Sequence, residues 1–136
     1  MLSGLKSLFS AKKLDVPEEI HTVLKIMHKL TKTKNFQALS SLYSNNAKIL
    51  EIRGKETVER TIDQAISHLE ESYSNIINRI TTFKILNYSN SPTFTVLVSY
   101  NEKLILQNKN SFKLVYSEEL QFNNQFKITQ VTCTYT

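Results

Sequence analysis

The chain has 136 residues, enough for one domain with an apolar core that needs no metal or disulfide support. Its single cysteine, Cys133, excludes an internal disulfide, and two glycines are too few for the glycine-rich loop of a nucleotide-binding enzyme. The net charge of +5 comes from scattered lysines without an aromatic-basic RNA-binding motif, so nucleic acid is not favoured as a partner.

Residues 1–14 predict an amphipathic, basic N-terminal tail. Lysines and serines are frequent there, and no acidic residue precedes Asp15. This composition is typical of a mitochondrial targeting segment, an interfacial helix, or a tail that docks on a partner or a membrane surface. We therefore expect a mitochondrial or otherwise intracellular soluble protein. The apolar residues of the tail have helical spacing: Leu2, Leu5, Leu8 and Phe9.

Two helical patterns follow the tail. The first, Ile20–Leu30, carries one apolar stripe, and the second, Phe36–Tyr43, is shorter. A strand pattern, Ala47–Ile52, comes next and is broken at Gly54. The segment Lys55–Ser74 then repeats apolar residues at helical spacing, which predicts a third helix.

Everything after the third helix is predicted to be strand. A sheet beside so few helices can bury only one face, which indicates that the sheet bends around them. The sequence thus predicts an α+β domain over residues 15–136, with three helices packed in a strongly curved antiparallel sheet and the order α-α-β-α-β-β-β-β. Such a cone contains a pocket. The four strand patterns are Asn78–Tyr88, Thr93–Leu106, Ser111–Phe122 and Gln125–Tyr135.

Three strings of residues carry a family resemblance that extends from Glu18 to Tyr135. They are NFQALSSLYSNNAKILE, GKETVERTI and SEELQFNNQFKITQVT. Together with the element order they resemble the nuclear transport factor 2-like and SnoaL-like superfamily of cystatin-like cone domains, which includes ketosteroid isomerase. The resemblance implies the cone fold and, because members often pair through the outer face of the sheet, a homodimer or docking in a larger complex.

The isomerase branch of this superfamily implies two candidate catalytic residues. Glu51 matches its carboxylate general base at the end of the first strand, and Glu118 matches a second carboxylic acid, kept protonated in an oxyanion hole. Met27 stands where the family has a tyrosine on helix one, so the donor expected to stabilise an enolate is missing. Glu51 could instead lie in water at the rim, and Glu118 could be satisfied by Tyr116, Arg79 or another polar neighbour.

No cofactor or metal is expected from the sequence. His21 and His28 lie seven residues apart, about 10 Å along a helix, and therefore cannot chelate one metal by themselves. His68 falls near the end of the third helix. All three histidines are interpreted as structural or surface residues.

Two functions compete at this point. The first is a non-catalytic protein-interaction domain, an accessory subunit of a larger assembly that binds its partners through the outer face of the sheet. The second is a small-molecule-binding domain or an isomerase, dehydratase or cyclase, with Glu51 as base and Glu118 as proton donor, which needs an open cavity. The predicted outer face comprises Val115, Val131, Cys133 and Tyr135, and the side chains that could plug the cone are Phe83, Phe94, Phe112 and Tyr116.

Overall fold

A computed structural model of the protein describes residues 15–136. The predicted tail, residues 1–14, lies outside this range. Among the described residues no helix is both long and apolar enough to cross a bilayer. The elements, in chain order, are α1 (Glu18–Lys32), a 3₁₀ helix (Phe36–Leu42), β1 (Tyr43–Arg53), β2 (Glu56–Thr61), α2 (Ile62–Ser72), β3 (Ile76–Ser89), β4 (Phe94–Leu106), β5 (Ser111–Phe122) and β6 (Ile128–Tyr135).

The six strands form one curved, unclosed sheet in the order β2-β1-β6-β5-β4-β3. The prediction of an α+β cone is therefore confirmed, but the sheet is mixed rather than antiparallel. Strands β1 and β6 run parallel, whereas every other neighbouring pair is antiparallel. The last strand inserts between β1 and β5, and alternation within each strand carries no information about that placement.

The predicted third helix, Lys55–Ser74, is wrong in its first third. Gly54 has a φ of +59°, which lets the chain reverse from β1 into the additional strand β2. The β-branched residues of β2 favour this pairing. The helix begins only after Thr61, whose hydroxyl accepts from the Gln64 amide while the Gln64 side chain accepts from the Thr61 amide.

The core lies between α1 and the concave face of the sheet. Ile20 and Leu24 of α1 pack there against buried residues of β4, β5 and β6. A second cluster joins the 3₁₀ helix to α2 through Phe36, Leu39 and Ile66. The fully buried strand residues are Val96, Val98, Leu120, Phe122, Ile128 and Val131.

Three of the four residues that were predicted to lie on the outer face of the sheet do not lie on it. Val115 is exposed, but Val131 and Cys133 are buried and Tyr135 lines the interior. The reason is register: Cys133 of β6 lies opposite Glu118 of β5, so the odd-numbered residues of β6 share the concave face with the even-numbered residues of β5.

Candidate functional site in the cone

The concave face of the sheet and the three helices enclose a cavity of about 400 Å³. Phe112 and Arg53 both line the cavity and are exposed, so it reaches the solvent on their side. The predicted plug does not form. Phe112 and Tyr116 lie on the wall, whereas Phe83 and Phe94 do not line the cavity. The volume falls within the range of about 300–1,000 Å³ that is typical of small-molecule sites.

A row of aromatic side chains crosses the concave face of the sheet from strand to strand. Arg53 of β1 lies 3.8 Å above the ring of Tyr135 on β6, which is 5.3 Å from the Tyr116 ring on β5. Tyr116 stacks on Tyr100 of β4 with a centroid separation of 4.8 Å. Phe83 of β3 completes the row at 6.0 Å from Tyr100. Neighbouring rings at these separations attract one another, which stabilises this arrangement of the concave face.

Glu118 lies beside this row, on the most apolar strand face. The pKa of Glu118 is raised from 4.5 to about 7, mainly by burial and in addition by the charge of Glu102. A hydrogen bond from the Tyr100 hydroxyl and the charge of Arg79 act in the opposite direction. The side chain is partly accessible and lines the cavity, so a ligand in the cone can meet a carboxyl group that exchanges its proton near neutral pH.

A buried ion pair stands on the other side of the aromatic row. Arg79 donates from Nε and Nη2 to the two carboxylate oxygens of Glu102, at 2.8 and 2.7 Å. The Tyr116 hydroxyl donates to Glu102, and the Tyr73 hydroxyl lies 3.5 Å from it. Arg79 and these hydroxyls hold the pKa of Glu102 below its ordinary value in spite of burial. Glu118 and Glu102 are thus two carboxyl groups whose surroundings separate their pKa values, a pattern found at proton-transfer sites.

Glu51 also lines the cavity, but it does not meet Glu118. Cys133 of β6 is in register with Glu51 on β1 and with Glu118 on β5. The two glutamates are therefore separated by two strand spacings, each of roughly 5 Å. Arg53 contacts Glu51 at 2.8 Å and Arg60 contacts it at 3.2 Å. These arginines hold the pKa of Glu51 below its ordinary value although burial opposes them, which makes it a poorer base than Glu118.

Two tyrosines from the strands, Tyr43 and Tyr100, lie near Glu118. Met27 does line the cavity from α1, as the resemblance implied for that position. Burial raises the pKa of Tyr43, at the start of β1, and of Tyr100, and the charge of Glu118 adds to both shifts. The sequence alone does not indicate these hydroxyl groups, because only the fold brings β1 and β4 to the same carboxyl group.

Two histidines also line the cavity. His28 contacts the Phe83 ring at a centroid separation of 5.6 Å, and burial together with the charge of Arg79 lowers its pKa. His68 lies 3.4 Å from the Ser72 hydroxyl at the end of α2. Within residues 15–136 no group of three or more histidine, cysteine or acidic side chains is placed to hold a metal ion.

Solved structures share this fold at low sequence identity. AusH from Aspergillus nidulans matches with a TM-score of 0.73 and 10% identity over 89% of this chain and 86% of its own. A hypothetical protein with a ketosteroid isomerase-like fold from Catenulispora acidiphila, in complex with trimethylamine, gives 0.65 and 15% over 89% and 87%. An NTF2-like protein of unknown function from Exiguobacterium gives 0.59 and 14% over 80% and 89%.

No protein-family model matches the chain, and no curated protein matches it in sequence. The structural matches establish the fold that the resemblance predicted, that of the nuclear transport factor 2-like and ketosteroid isomerase-like proteins. At these identities the similarity extends to the fold alone.

Proposed function

We propose that this protein binds a small, largely apolar organic molecule inside the cone and transfers a proton on it through Glu118. The observation that carries the proposal is an accessible cavity of about 400 Å³ with Glu118 in its wall. Because the pKa of Glu118 is raised to about 7, both its acid and its base form are populated near neutral pH. Aliphatic and aromatic side chains line the cavity together with the charged residues Glu51, Arg53, Arg79 and Glu118, and such a combination can bind and orient a small organic molecule.

An isomerisation of an enolisable carbonyl compound suits this arrangement. The Glu118 carboxylate would remove a proton from the carbon next to the carbonyl group, and the C–H electron pair would form the C=C bond of the enolate. Glu118, now protonated, would return the proton to another carbon, so no oxidant or reductant is consumed. A hydroxyl group of Tyr43 or Tyr100 would stabilise the enolate oxygen, the role for which helix one offers only Met27.

Fold neighbours support small-molecule binding as a use of this architecture. The protein from Catenulispora acidiphila has an isomerase-like fold and is bound to a small organic amine.

Glu51, the base expected from the resemblance, has a different role in this proposal. Its two arginine partners, at 2.8 and 3.2 Å, keep the carboxylate ionised and already paired. We assign it the structural role of holding these arginines at the β1 side of the cavity wall.

Hydrogen–deuterium exchange into an enolisable ketone tests the proposal. Incubation of 2-tetralone with the protein in D₂O, followed by proton NMR, should show loss of the C1 protons faster than in buffer. Glu118→Gln should abolish the acceleration. Glu119→Gln, a neighbouring exposed position on the outer face, should retain it. Equal acceleration by the Glu118→Gln protein, or none by the wild type across a panel of cyclic ketones, would refute the role of Glu118.

A second proposal, which can hold together with the first, is that the outer sheet face binds a second copy of the chain. Val115 is 49% exposed and Ile80 is 53% exposed, and both lie on this face. Exposed apolar side chains on a sheet face favour association. Sedimentation equilibrium should then show a dimer that Val115→Glu dissociates. A monomer at all concentrations would exclude this pairing.

A further inference from the structure

The mouth of the cavity carries the guanidinium group of Arg53. This residue lines the cavity from the end of β1, and its side chain is 56% exposed, so a ligand that enters from solvent can contact it. Phe112, at the start of β5, lines the same opening and is 42% exposed. The opening therefore presents a cationic side and an apolar side to an incoming molecule.

Two contacts orient the guanidinium group of Arg53. Its Nε atom donates to Oε1 of Glu51 at 2.8 Å, and its central carbon lies 3.8 Å from the centre of the Tyr135 ring. Neither contact uses Nη1 or Nη2, and because more than half of the side chain is exposed, a ligand can reach these two donors. An arginine held in this way is a preorganised fork for two oxygen atoms.

The positive charge of Arg53 is not fully neutralised by its partner. Arg60 contacts the other carboxylate oxygen of Glu51 at 3.2 Å, so two guanidinium groups share one carboxylate. Glu56 is in register with Arg53 on β2, but it is exposed and forms no ion pair within residues 15–136, so solvent screens its charge. The β1 side of the mouth therefore favours an anion over a cation.

We propose that Arg53 selects ligands with a carboxylate group, which it binds at the mouth while the apolar body of the ligand lies in the cone. The inference rests on the ligand-binding cavity of the proposed function and narrows its ligand to a small organic acid, such as an enolisable keto acid. A carboxylate can accept from both Nη atoms in charge-assisted hydrogen bonds. The guanidinium charge repels a cation, and an uncharged group gains only an ordinary hydrogen bond in exchange for water.

The strand register separates Arg53 from Glu118 by about the length of a small ligand. Arg53 is in register with Tyr135 of β6, which is in register with Tyr116 of β5. Glu118 lies two residues further along β5, so the two sites are roughly 10 Å apart across the sheet and roughly 7 Å apart along it. Both Arg53 and Glu118 line the cavity. A molecule of one aromatic ring with a short side chain can place a carboxylate at the first and an enolisable carbon near the second.

Three probes of the same shape and different charge test this preference. They are derivatives of 4-phenyl-2-butanone with a carboxylate, a carboxamide or an amidinium group at the para position, each titrated into the full chain at pH 7 and followed by protein NMR. We expect the carboxylate to bind about tenfold more tightly than the carboxamide, and the amidinium to bind most weakly. Arg53→Gln should abolish the preference for the carboxylate and leave carboxamide affinity unchanged. Arg53→Lys should keep part of the preference, because the charge remains while the fork is lost.

Lys103→Gln is the matched control. It removes one positive charge from the exposed outer face of β4, so carboxylate affinity should not change. Equal affinity for the three probes, tightest binding of the amidinium, or undiminished carboxylate affinity in Arg53→Gln would overturn the inference while the cavity itself stands. Failure of every probe to bind would overturn both the inference and the proposed function. A bound carboxylate probe that shows no accelerated deuterium exchange, and whose affinity is lost in Arg53→Gln, would support the inference and count against proton transfer alone.

Discussion

Replacement of Glu118 by glutamine should make the protein more stable at pH 8, and the gain should vanish in acid. Burial raises the pKa of Glu118 from 4.5 to about 7 in the folded state. Between these two values the folded protein keeps a proton that the unfolded chain has released. The free energy of unfolding therefore falls as the pH rises through this window, and it levels off above about pH 7.

The size of the effect follows from the shift. Two to three pKa units at about 1.4 kcal/mol each amount to roughly 3 kcal/mol between pH 4.5 and pH 8. Glutamine has nearly the same shape, and its carbonyl oxygen can still accept from Tyr100, but it does not ionise. The difference between the two proteins thus isolates this one carboxyl group from other groups that titrate over the same range.

Urea unfolding of both proteins at half-unit steps from pH 4.5 to pH 8.5 measures the difference. Glu119→Gln, on the exposed outer face, is the control and should show no such pH dependence relative to the wild type. A stability difference for Glu118→Gln that is constant across this range would refute the reasoning. So would a Glu118→Gln protein that loses stability relative to the wild type as the pH rises.

Three further outcomes are expected. Arg79→Met should lower the free energy of unfolding, measured in urea, by about 3–5 kcal/mol because it leaves Glu102 charged and buried. The double variant with Glu102→Leu should recover most of this loss, and an equal loss in the double variant would contradict this account. Thr61→Ala should cost about 1 kcal/mol in thermal unfolding because Thr61 caps α2, whereas Thr61→Ser should cost much less. Burial raises the pKa of Cys133, so iodoacetamide at pH 8 should alkylate the native protein far more slowly than the urea-unfolded protein, and similar rates would show that β6 opens readily.

The concave face of the long strands could be read from alternation alone. Alternation along β5 places Tyr116, Glu118 and Leu120 on one face, and all three lie on the concave face of the sheet. Alternation on β4 extends from Tyr100 to Glu102, so the sequence contains a signal for the second buried carboxyl group, although Glu102 was not among the predicted site residues. No sequence signal indicates that Arg79 pairs with Glu102, because this pairing depends on the register between β3 and β4.

Local patterns were misleading where two periodicities overlapped. Val58 and Ile62 fit one helical stripe, yet Val58 is in β2 and is 42% exposed, and Ile62 is the first residue of α2. The glycine before this segment allows a tight reversal, and pairing with β1 then outweighs intrinsic helix preference. The same pairing brings Arg60 to Glu51, which alters the character of a predicted catalytic residue.

The sequence by itself determined the fold class, the inward face of β5 and the presence of Glu118 among apolar neighbours, because these follow from periodicity along a single element. Only the tertiary structure decided that β6 lies parallel to β1, that two arginines contact Glu51 and that Arg79 pairs with Glu102. Each of these depends on which strands become neighbours and in what register, and that choice is made by the packing of the whole cone rather than by any one segment.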